Sequence, residues 1–293
     1  MIAASIKARW TQFDARWFQI LFLSSFLLFG ALARDFQLNP EQVLACFASG
    51  LATQALWQWG LNLPGRRGWG AYLSAIVSCF GICILVRAEN AWAHPLLACL
   101  AMSSKYLLRA GPQISKSHIL NPANFAAFAA WAWLGGTWLS PGQWGANSLT
   151  ALWFIALGGL VTQRIGRRDV SIGFLLAWGS LLALRLVWFD YSWNPGAAMW
   201  LQQMSNGSTL LFAFFMISDP MTTPQHRFAR LAYVCLVAAS AFVWQFVLFK
   251  PHGLIVGLFL CSWTVPLINA IWRRPRFAWQ GAPRPCRADT VTN

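Results

Sequence analysis

The chain has 293 residues, 57% of them hydrophobic and 10% charged, with a net charge of +14 and a mean hydropathy of +0.49. A soluble domain carries about 25% charged residues, so this composition excludes a water-facing globular surface and points to lipid as the solvent. The positive charge does not point to nucleic acid, because the arginines stand in short clusters between apolar runs, where positive-inside topology signals stand.

The opening stretch, "MIAASIKARWTQFDARW", is polar and basic. No small-residue cleavage site follows a short apolar core, so no cleavable signal peptide is expected. Ten apolar segments then follow, at 17–33, 42–60, 69–87, 91–109, 122–139, 147–164, 170–188, 206–218, 229–249 and 253–272. Each is read as a membrane span. The eighth is short and is stopped by Pro220. It either begins earlier, near Trp200, or is a broken helix, and interrupted spans often mark sites in membrane proteins. Nineteen tryptophans suit a chain with two membrane–water interfaces.

Basic residues fix the expected orientation. Lys7, Arg9, Arg16, Arg66, Arg67, Lys105, Arg109, Lys116, Arg164, Arg167, Arg168, Arg227, Arg230, Arg273, Arg274, Arg276, Arg284 and Arg287 fall on one side of the alternating spans. Only Arg34, Arg87, Arg185 and Lys250 fall on the other. This bias places both termini in the cytoplasm of a bacterial-type inner membrane, with an even number of spans. The expected organisation is a cytoplasmic segment 1–16, one membrane domain 17–272, and a basic tail 273–293 without fixed structure.

Five spans per half force opposite orientations, the arrangement from which inverted repeats arise. A faint echo supports it: "KSHIL" (116–120) precedes the fifth span and "KPHGL" (250–254) precedes the tenth. The pseudo-repeats would cover about 17–139 and 147–272. The fold class expected is therefore an all-α integral membrane protein of about ten helices in two inverted five-helix repeats.

Four segments break the hydrophobic monotony. In "SKSHILNPANFAAFAAW" (115–131), Asn121 followed by Pro122 reads as an N-cap with proline at the first helical position. Such a helix start directs free amides outward and attracts anions. Lys116 and His118 stand beside it, and Asn124 sits one turn inside. In "FFMISDPMTTPQHR" (214–227), Ser218 and Asp219 end a hydrophobic helix, because the residue before a proline is pushed out of the α region. A carboxylate at a helix C-terminus opposes the dipole and needs a partner, for which Arg227, Arg230 or a ligand donor are candidates. Thr222 and Thr223 add hydroxyls there. "WLSPGQWGANSLT" (138–150) reads as an external turn packed down by Gln143 and Trp144. "QRIGRRDVS" (163–171) sets Asp169 among three arginines, which reads as topology anchoring, with an anionic-ligand site as the alternative.

Seven cysteines contain no CxxC. Cys79 and Cys83, four apart, share a helix face and are either a redox or metal pair or small buried hydrophobes. Ser/His/Asp arrangements, HExxH and phosphate-binding loops are missing, and the spans hold almost no carboxylates, unlike proton pumps. The four histidines, at 94, 118, 226 and 252, lack partners at helical spacing.

The string Phe215-Met216-Ile217-Ser218-Asp219-Pro220-Met221-Thr222-Thr223-Pro224 resembles the Phe-Phe/Met-x-Ser/Thr-Asp-Pro-x-Thr/Ser-x-Pro signature of the NqrB/RnfD membrane family. Those proteins are flavin-carrying subunits of the sodium-pumping NADH:quinone reductase and of the Rnf complex. "SHILNPANF" and "SPGQWG" are closer to short members of that superfamily, the UnbU-like membrane proteins of enediyne biosynthetic clusters. The resemblance takes in about residues 15–275. It implies ten helices in two inverted repeats, similar to urea-transporter-like channels, and a bound flavin. Family members attach FMN through a threonine in a Ser/Thr-Gly-Ala-Thr motif, and this chain departs there: "WGANSLT" (144–150) and "NGSTL" (206–210) are the nearest strings, and neither fits. The expectation is therefore a non-covalent flavin, FMN or riboflavin.

The first functional reading is a membrane electron-transfer subunit, part of a redox complex rather than a stand-alone enzyme. The bilayer, redox proteins or other complex subunits are its partners; nucleic acid is not. Asp219, Thr222, Thr223, Ser218, Asn121, Asn124, His118 and Lys116 would line or support the flavin, which carries the redox chemistry. No metal is expected. The alternatives are a channel or carrier for a small neutral or flavin-like solute, and an assembly subunit without a ligand.

Overall fold

A computed structural model describes residues 14–33, 38–61, 69–110, 117–140, 145, 148–275, 277 and 279. The first half of the chain forms α1 (Ala15–Ala33), α2 (Pro40–Gly60), α3 (Trp69–Leu85), α4 (Ala93–Leu107) and α5 (Pro122–Trp133). The second forms α6 (Ser148–Arg164), α7 (Arg168–Trp188), α8 (Trp193–Ser205), α9 (Gly207–Leu211), α10 (Arg227–Phe242), α11 (Gly253–Ser262) and α12 (Val265–Ile271). Helix α9 runs on through a π-helical turn, Phe212–Met216, and α10 through another, Val243–Val247. Each of the ten apolar segments thus contains a helix. The eighth is broken: α8 stops at Ser205, Asn206 leaves the helical region, and its side chain caps α9 by accepting from the Ser208 amide at 2.9 Å.

Two short antiparallel ribbons tie helix ends together. In β1 (Val86–Ala88) and β4 (Thr137–Leu139), Arg87 lies opposite Trp138. In β2 (Arg109–Ala110) and β3 (Ser117–His118), Arg109 lies opposite His118. The second ribbon fixes His118 just ahead of α5.

Packing is similar in the two halves. Helix α2 lies on α4 and α4 on α5; correspondingly α7 lies on α10 and α10 on α11. Helices α5 and α11 meet each other, with the Phe128 and Phe259 rings stacked at 3.8 Å. The buried core is drawn from aliphatic and aromatic side chains of both halves, among them Phe26, Phe154, Phe174 and Trp178.

The outer surface is apolar. Leu21, Leu28 and Leu32 on α1, Leu44 and Leu56 on α2, and Leu176, Leu184 and Val187 on α7 are all exposed. Contiguous exposed apolar surface on this scale is lipid-facing. Among the described residues, 15–32, 168–188 and 227–247 are long and apolar enough to cross a bilayer. Helices α11 and α12, bent by 45° at their junction, make a fourth if they count as one span.

Candidate functional site

The site is built on the start of α5. Asn121 adopts an extended backbone, φ −66° and ψ 123°, and its Oδ1 accepts the Asn124 amide at 3.1 Å. Pro122 follows as the first helical residue, with no N–H to leave unsatisfied. The expected cap is present.

Asp219 sits directly against it. The helix carrying Asp219 ends at Met216, and Ile217 and Ser218 complete a turn before Pro220. The Asn121 Nδ2 donates to Asp219 Oδ2 at 3.3 Å, and the Met221 amide donates to Oδ1 at 3.0 Å. His118 Nε2 lies 3.9 Å from Oδ2. The carboxylate is therefore at the wrong end of its own helix but beside the N-terminus of α5, where a negative charge is favoured. Burial pushes the Asp219 carboxyl up. The nearby His118 ring, the Met221 amide and the Lys105 charge outweigh burial and hold it below its ordinary value.

The expected arginine partners are not the ones used. Arg230 instead grips Asp169, with Nε and Nη2 donating to one carboxylate oxygen at 2.8 and 2.5 Å. Asp169 opens α7, where an acid suits the helix dipole. A carboxylate with a bidentate arginine at hand takes it, which leaves Asp219 to Asn121 and His118.

The sequence-derived candidates separate by position. His118, Asn121, Ser218 and Asp219 line one cleft, together with Arg16, Ser74, Ser78, Gly81, Phe214, Phe215 and Trp279. Thr222 and Thr223 do not line it: both are buried, and their hydroxyls donate to the Asp219 carbonyl at 3.5 and 3.0 Å, holding the turn. Asn124 faces away, its Nδ2 donating to the Ile255 carbonyl of α11 at 3.2 Å, and its Oδ1 is buried without a hydrogen bond. Lys116 lies outside the described residues, as do Gln143 and Trp144.

Four residues in or behind the cleft were not read from the sequence as part of it. Arg16 is buried, bonds Asp14 and the Gly70 carbonyl, and its guanidinium lies 4.6 Å from the Trp279 ring centroid. Trp279 thus reaches the cleft mouth from a tail expected to lack structure. Arg167, buried ahead of α7, donates to Gln225 Oε1 at 2.8 Å and to the Pro220 carbonyl at 3.4 Å, bracing the Asp-Pro turn. Burial, then the charge of Arg230, push Arg167 down to about 10, so it stays cationic at neutral pH. Gly81 is the one glycine this wall demands: a Cβ there would stand 2.7 Å from the Ala123 Cβ, so α3 reaches the start of α5 only without a side chain.

A helical bundle with an apolar outer surface and a polar cleft at a capped helix start defines a multi-pass membrane protein with a small polar inlet. Comparison with known proteins narrows this class. Residues 28–278 match the model of the NQR2, RnfD, RnfE family, and the chain belongs to that family. It is similar to a subunit of the ion-translocating oxidoreductase complex of Escherichia coli O81 (strain ED1a) and to its counterpart in Escherichia coli O6:K15:H31, 30% identical over 152 residues in each case. The corresponding protein of Escherichia coli O1:K1 is 29% identical over the same length. These matches cover 51% of this chain and 37% of the relatives.

The donor set suits a flavin in kind. Asn121 and His118 offer donors, Asp219 an acceptor, Ser74 and Ser78 hydroxyls, and Phe214, Phe215 and Trp279 aromatic faces. The cleft volume, about 70 Å³, is smaller than the roughly 300 Å³ at the low end of ligand pockets. A cleft of this size does not enclose a tricyclic ring.

Proposed function

We propose that the protein is a membrane subunit of an electron-transport complex that binds a flavin, FMN or riboflavin, non-covalently at the α5 cleft. The observation that carries this reading is the meeting of Asn121, His118 and Asp219 at a helix N-terminus in a chain of the NQR2, RnfD, RnfE family. The family resemblance supplies the cofactor class, and the missing Ser-Gly-Ala-Thr string supplies the non-covalent attachment. The flavin carries the electrons, while the protein binds it, orients it and tunes its surroundings. Asn121 and Asp219 would hold the polar ring edge, His118 would stand beside the carboxylate, and Trp279 would give way to the ring. Ser218, Thr222, Thr223 and Asn124 keep this corner rigid, and Lys116 precedes it. The relatives' description as subunits of an ion-translocating oxidoreductase complex supports redox partners within a larger assembly.

The accompanying topology is ten spans in two inverted halves, about 17–139 and 147–272, with both termini in the cytoplasm and residues 273–293 as a basic tail. Its support is the basic-residue bias and the 134-residue offset between "KSHIL" and "KPHGL". At that same offset Phe125 and Phe259 have ring centroids 6.3 Å apart across the α5–α11 contact.

Riboflavin and FMN titration of the purified protein, followed by flavin fluorescence, tests the site. Saturable binding that Asn121→Ala and Asp219→Ala each weaken supports it; binding indifferent to both removes it.

A further inference from the structure

A second site lies behind the wall of the cleft. Helix α3 presents Ser74, Ser78 and Gly81 to the cleft. Another face of α3 carries Cys79 and Cys83, and Cys46 of α2 meets them there. All three are fully buried free thiols. Cys79 Sγ is 3.6 Å from the Cys46 carbonyl oxygen. One turn beyond Cys46, Gly50 leaves room for that sulfur: a Cβ there would be 2.5 Å from Cys79 Sγ. The two helices are thus brought together at the thiols.

The surroundings are not those of an inert apolar filler. Lys105 of α4 is buried, its Nζ donating to Ser74 Oγ at 3.2 Å and Met102 Sδ at 3.4 Å. A buried cysteine usually behaves as a small hydrophobe. Three of them converging from two helices beside a buried ammonium form a dithiol with a spare sulfur.

We propose that Cys46 and Cys79 are a redox-active dithiol that closes into a reversible interhelical disulfide, with a quinone-class molecule of the lipid phase as oxidant. Two S–H bonds break and one S–S bond forms. Two protons and two electrons pass to the quinone, which leaves as the quinol. Cys79 is the partner rather than Cys83, because Cys79 faces the Cys46 backbone across Gly50, whereas Cys83 is a turn farther along α3. Disulfide geometry demands this kind of close backbone approach. A pair one helix away from the cleft would store two electrons beside it. The dithiol stands without the flavin and is tested on flavin-free protein, so either reading fails separately.

The test uses the full chain in nanodiscs with Cys99, Cys235 and Cys286 replaced by serine, leaving four of the seven cysteines. Duroquinone, whose ring is fully substituted and does not alkylate thiols, is the oxidant. Denaturing alkylation with N-ethylmaleimide and intact mass spectrometry then count free thiols. The expected result is four adducts before oxidation, two after it, and four again after dithiothreitol, with peptide mapping linking Cys46 to Cys79. Cys46→Ser and Cys79→Ser abolish the loss of adducts, and Cys83→Ser retains it. Four adducts after oxidation, a link between Cys79 and Cys83, or a disulfide formed by diamide but not by duroquinone each overturns the proposal.

Discussion

Replacing Asp219 by asparagine removes one charge and one acceptor while keeping the side-chain shape. The new amide keeps an oxygen for the Met221 N–H, at 3.0 Å in the native protein. Its nitrogen then faces the Asn121 Nδ2, which had donated to Asp219 Oδ2 at 3.3 Å, so donor meets donor. A hydrogen bond to a charged group contributes about 1.5–3 kcal/mol, and an anion at a helix N-terminus about 0.3–1 kcal/mol more. The expected loss is about 2–4 kcal/mol, a fall of roughly 5–10 °C in melting temperature. The pH dependence carries the sign. The folded carboxyl lies below its ordinary value, so its contribution is complete above the unfolded value of about 3.9 and is lost as pH falls through the folded one. Tryptophan-fluorescence melts in nanodiscs, from about pH 7 downward, check this. The gap between wild type and Asp219→Asn should be fully present above about pH 5 and should close as the pH falls below about 4. A gap that persists unchanged through the whole acid range refutes the reasoning.

Asn121→Ala removes the cap of α5 and a donor to Asp219; it should cost about 1–2 kcal/mol in the same melts. Gly81→Ala places a methyl 2.7 Å from Ala123; it should cost about 1–3 kcal/mol and narrow the cleft, lowering riboflavin affinity in fluorescence titration. Asp169→Asn removes the anion from the half-buried Arg230 guanidinium and should destabilise by about 1–3 kcal/mol, with Asp169→Asn/Arg230→Met recovering part of the loss in a double-mutant cycle. Trp279→Ala clears the cleft mouth and should tighten riboflavin binding several-fold; weaker binding would make the indole a stacking partner.

The helices were legible because each apolar run is long and bounded by basic residues, glycine or proline. Helix α8 was not: Pro195, Gly196 and Asn206 break its pattern, and only Gly196 in it is buried, so no apolar face announces it. The Asn121 cap and the stop at Asp219 were readable, since both follow from local proline and dipole rules. Their contact, between residues 98 positions apart, is a tertiary fact with no local signal. The same limit explains Arg16, Lys105 and Arg167. Each counts as a cytoplasmic topology charge in one dimension, yet each is buried in three. The arginine expected for Asp219 was misassigned because sequence proximity to Arg227 and Arg230 says nothing of the competing acid at Asp169 on α7. Trp279 was misplaced because a polar, proline-rich tail gives no cue that one indole packs on Arg16.

The absorption spectrum of the protein purified from its native membrane, taken before and after denaturation and filtration, tests the central claim most directly. The account predicts flavin bands in the folded protein and about one flavin per chain released into the filtrate. A colourless protein, or flavin that stays with the denatured chain, contradicts it.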